Sequence, residues 1–258
     1  MNNLSVDNLF NFKEKIVIIT GSSGQLGNAF SKLFLSEGAF VIGMDIKNTK
    51  LKNKNFFFYK IEISNKKKVE RLIHKIALKF KKIDIIINNA SISVFSRFDK
   101  RKDIEINKTL NSNLKGSLNL INTYFSEHKK MKLKKCNIIN IGSIYGFLSP
   151  DFRIYGKKDN FNSEIYGASK AAIIQLTKYY SVALSKYNIN MNCISPGGIF
   201  NKKNPQSKSF LRRYSMRVPK NRIGKESDLF TALLFLSSDY SEYINGQNIV
   251  IDGGLSSW

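Results

Sequence analysis

The chain of 258 residues predicts an α/β fold, a single doubly wound parallel sheet with helices on both faces. Three observations carry that expectation. Short apolar runs rich in β-branched residues alternate with stretches of helical periodicity along the chain. The strand runs are almost continuously apolar, as strands covered on both faces are. The distinctive motifs fall where strands give way to helices, the edge at which such sheets bind ligands.

Residues 15–20 (KIVIIT) read as a buried first strand, and 24–36 as a helix ending near Gly38. Residues 39–45 (AFVIGMD) and 55–63 supply the second and third strands. Residues 65–82 form an amphipathic helix whose apolar face carries Val69, Leu72, Ile73, Ile76 and Phe80, and 83–88 a fourth strand. The second half continues with a long helix over 103–128, a strand at 136–143 (CNIINIGS), a helix over 164–187 and a strand at 189–195. A helix over 226–238 and a last strand near 247–251 complete it. With only 4 prolines, no Ser/Gly-rich tract and no internal repeat, residues 1–258 read as one domain.

No stretch approaches the roughly 20 apolar residues that span a bilayer. The polar stretch 1–15 lacks the apolar run of a signal peptide, so the expected location is cytoplasmic. Cys136 and Cys193 are far apart and form no CxxC, which reads as free core thiols in a reducing compartment. His74 and His128 sit in Lys-rich helical stretches without ligand spacing, and no metal site is expected. The net charge of +23 raises nucleic acid as a partner. The lysines are nevertheless scattered and no nucleic-acid motif accompanies them. The charge therefore reads as compositional, with steering of anionic ligands as a remaining consequence. A basic nucleic-acid-binding protein that keeps the fold is the non-enzymatic alternative.

Thr20-Gly21-Ser22-Ser23-Gly24-Gln25-Leu26-Gly27 joins the first strand to the first helix. Glycines let backbone turn tightly and approach a pyrophosphate, and the following helix N-terminus offers unpaired N–H groups and a positive dipole end. Asp45 ends the second strand, 18 residues past Gly27. A carboxylate there accepts from ribose hydroxyls and repels a 2′-phosphate, which favours NAD over NADP, while Lys47 and Lys50 leave NADP open. Tyr166 and Lys170 (YGASK) are four apart and share one helical face. A free phenol titrates near ~10, and a neighbouring ammonium lowers that value toward working pH. YxxxK alone is a weak signal. It gains weight from Ser143, which ends the fifth strand and offers a hydroxyl to a substrate oxygen, and from Asn113, a mid-helix asparagine.

Together, TGSSGQLG, Asn88-Asn89-Ala90 after the fourth strand, YGASK, SPGGI (195–199) and GQNIVIDGG (246–254) resemble the short-chain dehydrogenase/reductase family. The likeness covers about residues 11–254. It implies a Rossmann-like fold, an NAD(P) cofactor and hydride exchange between a secondary alcohol and a carbonyl. It implies a glycine pattern TGxxxGxG around Gly21, Ser23, Gly24, Gln25, Leu26 and Gly27, with adenine and adenosine met by Glu62, Ile63, Asn89 and Ala90. The more usual residue at position 62 is Asp. The resemblance also makes Asn113, Ser143, Tyr166 and Lys170 a catalytic tetrad. Tyr166 exchanges the proton, Lys170 lowers its pKa and holds the nicotinamide ribose, Ser143 positions the substrate oxygen and Asn113 holds a relay water. Pro196, Gly197 and Ile199 would contact the nicotinamide, with Asn201 standing where a threonine is common. It implies a homotetramer packed through the long helices, or a homodimer.

Two stretches set this chain apart. The gap of 23 residues from Ser143 to Tyr166 is long, and its extra piece, 148–163, reads as a loop beside the substrate or as a surface insertion. Residues 202–222, in the lid of about 200–222, carry Lys202, Lys203, Lys208, Arg212, Arg213, Arg217, Lys220 and Arg222 and no acid. They are either a solvated basic face or a recognition element for an anionic substrate. The expected substrate is a polar small molecule, sugar-derived or phosphorylated. The long loop and SPGGIF look most like dehydrogenases of bacterial surface-sugar or flagellin-glycan pathways. An NADPH-dependent 3-oxoacyl-carrier-protein reductase is the alternative.

Overall fold

The computed structural model describes residues 9–155 and 161–258. The beginning of the polar N-terminal stretch (1–8) and part of the inserted loop (156–160) lie outside the described residues. Seven strands form one parallel sheet: β1 (Ile16–Thr20), β2 (Phe40–Asp45), β3 (Phe56–Lys60), β4 (Ile85–Asn88), β5 (Cys136–Ile141), β6 (Ile189–Pro196) and β7 (Asn248–Ile251). Their spatial order is β3-β2-β1-β4-β5-β6-β7. The order reverses between β1 and β4, which opens a crevice above their carboxyl ends.

Successive strand residues point to opposite faces, so β1 feeds two cores. Ile16 and Ile18 join the core that includes Leu72, Ile73, Ile76, Leu120 and Tyr124. Val17 and Ile19 join the one with Phe30, Phe34, Leu229, Leu233 and Leu236. Helices α1 (Gln25–Ser36) and α7 (Phe230–Ser237) cover the second face. Helices α2 (Lys66–Phe80), α4 (Gly116–Met131) and α5 (Glu164–Leu184) cover the first. Cys136 and Cys193 are free and buried in strands, His74 faces Glu127 at 3.0 Å and His128 faces Tyr124 at 3.1 Å.

Two differences from the sequence reading bear on the site. The third strand stops at Lys60 instead of running to residue 63, because Ile61 to Ser64 turn across the sheet edge. The long helix expected over 103–128 is three pieces: α3 (Asp103–Leu110), a π-helical turn (Asn111–Lys115) and α4. The wide turn contains Asn113, which is almost completely buried. Its Nδ2 donates to Ile92 O (3.0 Å) and Ser169 Oγ (3.0 Å), and its Oδ1 accepts from Ile92 N (2.8 Å). A single wide turn is too short for apolar periodicity to resolve, so the sequence reads as one helix.

Candidate active site

At the carboxyl edge β1 and β4 are stapled together. Thr20 Oγ1 accepts from the N–H groups of Asn89 (3.0 Å) and Ala90 (3.0 Å), and Asn89 Nδ2 donates to Thr20 O (2.9 Å). Gly21 follows at φ +66°, where an added Cβ would lie 2.8 Å from Ala90 Cα, so both conformation and space require glycine. A Cβ on Gly27 would lie 2.1 Å from Gly21 O, so α1 presses directly on the loop. The helix starts after Gly24 with no side-chain cap and no acid in its first turn. Its first N–H groups and positive dipole end therefore remain available to an anion.

A cavity of about 840 Å³ runs along this edge. Of the residues singled out for the cofactor, Gly21, Gly24, Gln25, Leu26, Asp45, Glu62, Ile63, Asn89, Ala90, Pro196, Gly197 and Ile199 line it, together with Ser143, Tyr166 and Lys170. Ser23 and Gly27 stand behind its wall. Ser23 N donates to Asp45 Oδ2 (2.9 Å) and Ser23 Oγ to Lys47 O (2.9 Å), so Asp45 also fixes the glycine loop. The uncapped helix start, the glycine cradle and the carboxylate at the end of β2 fit a dinucleotide.

The middle glycine of this loop is shifted. The pattern TGxxxGxG places it at position 25, where this chain has Gln25; the glycine is Gly24. Gln25 spends its amide across the site, donating from Nε2 to Phe200 O (2.5 Å) and Glu226 Oε1 (2.7 Å). The base of the lid is thereby tied to the phosphate loop.

Ser163 caps α5 by accepting from Tyr166 N (3.2 Å), which sets Tyr166 and Lys170 one turn apart over the end of β5. Ser143 Oγ accepts from Tyr145 N (3.1 Å), which leaves its own proton for the Tyr166 phenol facing it or for a substrate oxygen. Lys170 Nζ donates to Ile141 O (2.7 Å) and lies 5.6 Å from the Tyr166 ring centroid. One expectation is corrected at this point. Burial pushes the Tyr166 phenol up, partly offset by the Ser143 hydroxyl facing it, so the resting phenol stands above its ordinary value instead of below it. Burial also pulls Lys170 down to about 8, because desolvation penalises its charge. Asn113 does not line the cavity; its side chain ties the loop after β4 to α5.

A second cavity of about 630 Å³ adjoins the first and shares Ser143, Tyr166, Gly197 and Ile199 with it. Tyr145, Tyr155, Asn162, Gln206, Phe210 and Tyr214 also line it. No motif or spacing selects them one by one, although Tyr155 and Asn162 belong to the 148–163 loop expected beside the substrate and Gln206, Phe210 and Tyr214 to the lid of about 200–222. Among the described residues, none of the eight cations of 202–222 lines this cavity. Arg213 donates to Ile154 O (2.9 Å), Arg217 pairs with Asp151 (3.2 Å) and Arg222 with Asp228 (2.6 Å).

A dinucleotide cradle that opens at a buried Ser–Tyr–Lys set onto a second cavity defines a nicotinamide-dependent oxidoreductase. A family model described as enoyl-(acyl carrier protein) reductase matches residues 21–256. The chain is 31% identical over 251 residues to the 3-oxoacyl-[acyl-carrier-protein] reductase FabG of Thermotoga maritima, covering 93% of this chain and 97% of that one. It is 28% identical to the NAD-dependent glycerol dehydrogenase of Listeria innocua, covering 97% of each. The crystal structure of a short chain dehydrogenase from Leptospira borgpetersenii with bound NAD+ matches with a TM-score of 0.89 at 37% identity, covering 99% of this chain and 98% of that one. The chain belongs to the short-chain dehydrogenase/reductase family, enzymes that act on CH–OH groups with a nicotinamide cofactor. Among the described residues no helix is long and apolar enough to cross a membrane.

Proposed function

We propose that the chain is an NAD-dependent oxidoreductase that interconverts a secondary alcohol and a carbonyl on a polar small molecule. The observation that carries this reading is the junction of the two cavities at Ser143 and Tyr166, where a substrate oxygen and a cofactor ring would meet. NAD is favoured because Asp45 lines the cavity where a 2′-phosphate would sit. The relatives that carry NAD+ or are named NAD-dependent support the same choice.

The bound nicotinamide supplies or accepts the hydride. Ser143 donates its free proton to the substrate oxygen, and Tyr166, kept neutral by burial, is the acid that delivers a proton to it in the reduction direction. Lys170, held between Ile141 O and the Tyr166 ring, places an ammonium beside the phenolate that forms in that step and steadies it as the charge develops. Asn113 acts from behind the cavity wall, where its side chain holds the loop after β4 against α5, and it is the residue through which a relay water would be held. Gly21, Gly24, Gln25, Leu26, Pro196, Gly197 and Ile199 form the cofactor's walls, with Glu62, Ile63, Asn89 and Ala90 toward its adenosine.

A second reading, NADPH-dependent reduction of 3-oxoacyl carrier protein, is favoured by the identity to FabG and by the exposed basic stretch 202–222. Asp45 stands against it. The discriminating experiment compares NAD(H) and NADP(H) binding and reads hydride transfer at the NADH absorbance over a panel of polyols, sugars and an acetoacetyl thioester. Tighter NADP(H) binding with turnover of the thioester alone would replace the first reading by the second. We place the enzyme in the cytoplasm as a homotetramer or homodimer packed through α4 and α5, where the exposed Tyr179 and Val182 are the apolar side chains such packing would cover. Size-exclusion chromatography with light scattering tests this, and a monomer removes it.

A further inference from the structure

Among the described residues the lining of the second cavity contains no Lys, Arg, Asp or Glu. Its walls are aromatic: Phe210 stacks on Tyr214 with centroids 5.7 Å apart, and Tyr155 tilts against Phe210 at 5.5 Å. Aromatic faces of this kind bury the C–H faces of a ring. A phosphate or carboxylate entering here would lose its water without gaining a countercharge from the described residues.

The polar groups of the cavity are chiefly unspent donors. Tyr145 Oη and Tyr155 Oη lie 3.0 Å apart. Two hydroxyls share one bond through one proton, so the second proton of the pair finds no acceptor among the described residues. Burial and the facing Tyr155 hydroxyl push the Tyr145 phenol well up, so it stays a neutral donor. Asn162 Oδ1 accepts from Ser93 Oγ (2.7 Å), which leaves its Nδ2 without a protein acceptor among the described residues. Tyr214 Oη accepts from Gly198 N, and its own proton is likewise unspent. Tyr155 and Asn162 both come from the inserted stretch 148–163, so the insertion supplies chemistry to the cavity.

We propose that this cavity selects a neutral, ring-bearing polyhydroxy compound, an unphosphorylated sugar or cyclitol. Its second anchor is the Tyr145–Tyr155 hydroxyl pair with the Asn162 amide, which donate to substrate oxygens away from the reacting carbon. The inference rests on the reading that Ser143 and Tyr166 hold the reacting oxygen. It narrows that reading from polar to uncharged and excludes the phosphorylated substrates that the basic lid suggested.

The test uses the full chain with NADH bound and saturation-transfer NMR. The probes are a set of free pentoses, hexoses and cyclitols, their monophosphates, and acetoacetyl-N-acetylcysteamine as a neutral acyl thioester. At least one free sugar or cyclitol binds, its monophosphate binds at least tenfold more weakly, and the thioester binds no better. Tyr155→Phe weakens the neutral probe about fivefold, the loss of one hydrogen bond, and leaves NADH affinity unchanged. Tyr145→Phe does the same, so a folding defect in one variant does not decide the matter. Equal or tighter binding of a monophosphate, preference for the thioester, no binding by any free sugar or cyclitol, or unchanged affinity in both variants overturns the proposal. Hydride transfer is read separately. Binding without turnover refutes the oxidoreductase reading and spares the selectivity, whereas turnover with the wrong selectivity does the reverse.

Discussion

The two halves of the site are built from different material. Around the cofactor cavity the decisive atoms are backbone: the glycine loop, the open start of α1 and the carboxyl ends of β1 and β4. Asp45, Lys47, Glu62, Lys108 and Lys170 bring charge to its edge. The substrate cavity is walled by side chains, aromatic and amide, and carries no charge among the described residues. The first surface is fixed once the sheet forms, because moving it would break strand pairing. The second is set by residues that can change without touching the sheet. A fold that keeps its cofactor and changes its substrate needs this division.

Tyr166 belongs to both halves, and replacing it should show the largest effect. Tyr166→Phe lowers turnover about 10³-fold or more, the upper part of the range for a lost acid/base, while NADH still binds as judged by its fluorescence. Lost NADH binding would mean that the tyrosine serves the cofactor half alone. Lys170→Met comes next, with turnover down about 10²-fold. Its effect on stability has the opposite sign. Burial lowers Lys170 from its ordinary 10.5 to about 8, so between those values the unfolded chain holds more protons than the folded one. The charge then costs stability in full below about pH 8, and the cost fades as pH rises toward 10.5. The shift corresponds to about 3 kcal/mol, of which the donor lost by Ile141 O takes back about 1. Lys170→Met should therefore melt a few degrees higher at pH 7, with the gain shrinking toward pH 10. A lower melting temperature at pH 7 would show that the lysine is fully paired in the folded state.

Gly27→Ala probes the backbone half alone. Its Cβ would lie 2.1 Å from Gly21 O, so helix and loop must separate. Overpacking of this kind costs about 1–3 kcal/mol, and NAD affinity should fall about tenfold with the neutral-probe affinity of the substrate cavity nearly unchanged. Equal losses in both cavities would show that they move as one body. Titration with each ligand separates the outcomes.

The same division explains what was legible in the sequence. The parallel sheet follows from alternation and β-branched runs, Gly21, Asp45 and Ser143 stand at strand ends where spacing finds them, and Tyr166 and Lys170 are found by their four-residue helical spacing together with the family resemblance. The shifted glycine at Gly24 escaped notice because a glycine-rich stretch looks alike with the middle residue one place over; only the structure shows Gln25 bridging to Phe200 and Glu226. The π turn at Asn113 spans only five residues, too short a stretch for periodicity to resolve within what reads as one long helix. Tyr145, Tyr155 and Asn162 converge from a turn and an insertion, and side chains brought together by loops leave no spacing to read. The direction of the Tyr166 shift was misjudged for a related reason: sequence reports that an ammonium is near a phenol, but burial, the largest cause of the shift at both residues, is a property of the fold.

The smallest expected effect sharpens the contrast most. The basic stretch 202–222 dominates the local sequence, yet Lys208 and Arg212 are exposed on α6 (Lys208–Ser215) and line neither cavity. If substrate selection resides in uncharged walls, the double variant Lys208→Ala with Arg212→Ala changes kcat/KM for a neutral substrate less than twofold, in line with ordinary surface substitutions. Its kcat/KM should also be nearly independent of added salt, because a neutral ligand is not steered by charge. A drop of tenfold or more, relieved by salt in the parent enzyme, would move recognition out of the cavity and onto the lid, and would make the charge of the stretch a functional feature instead of a solvated face.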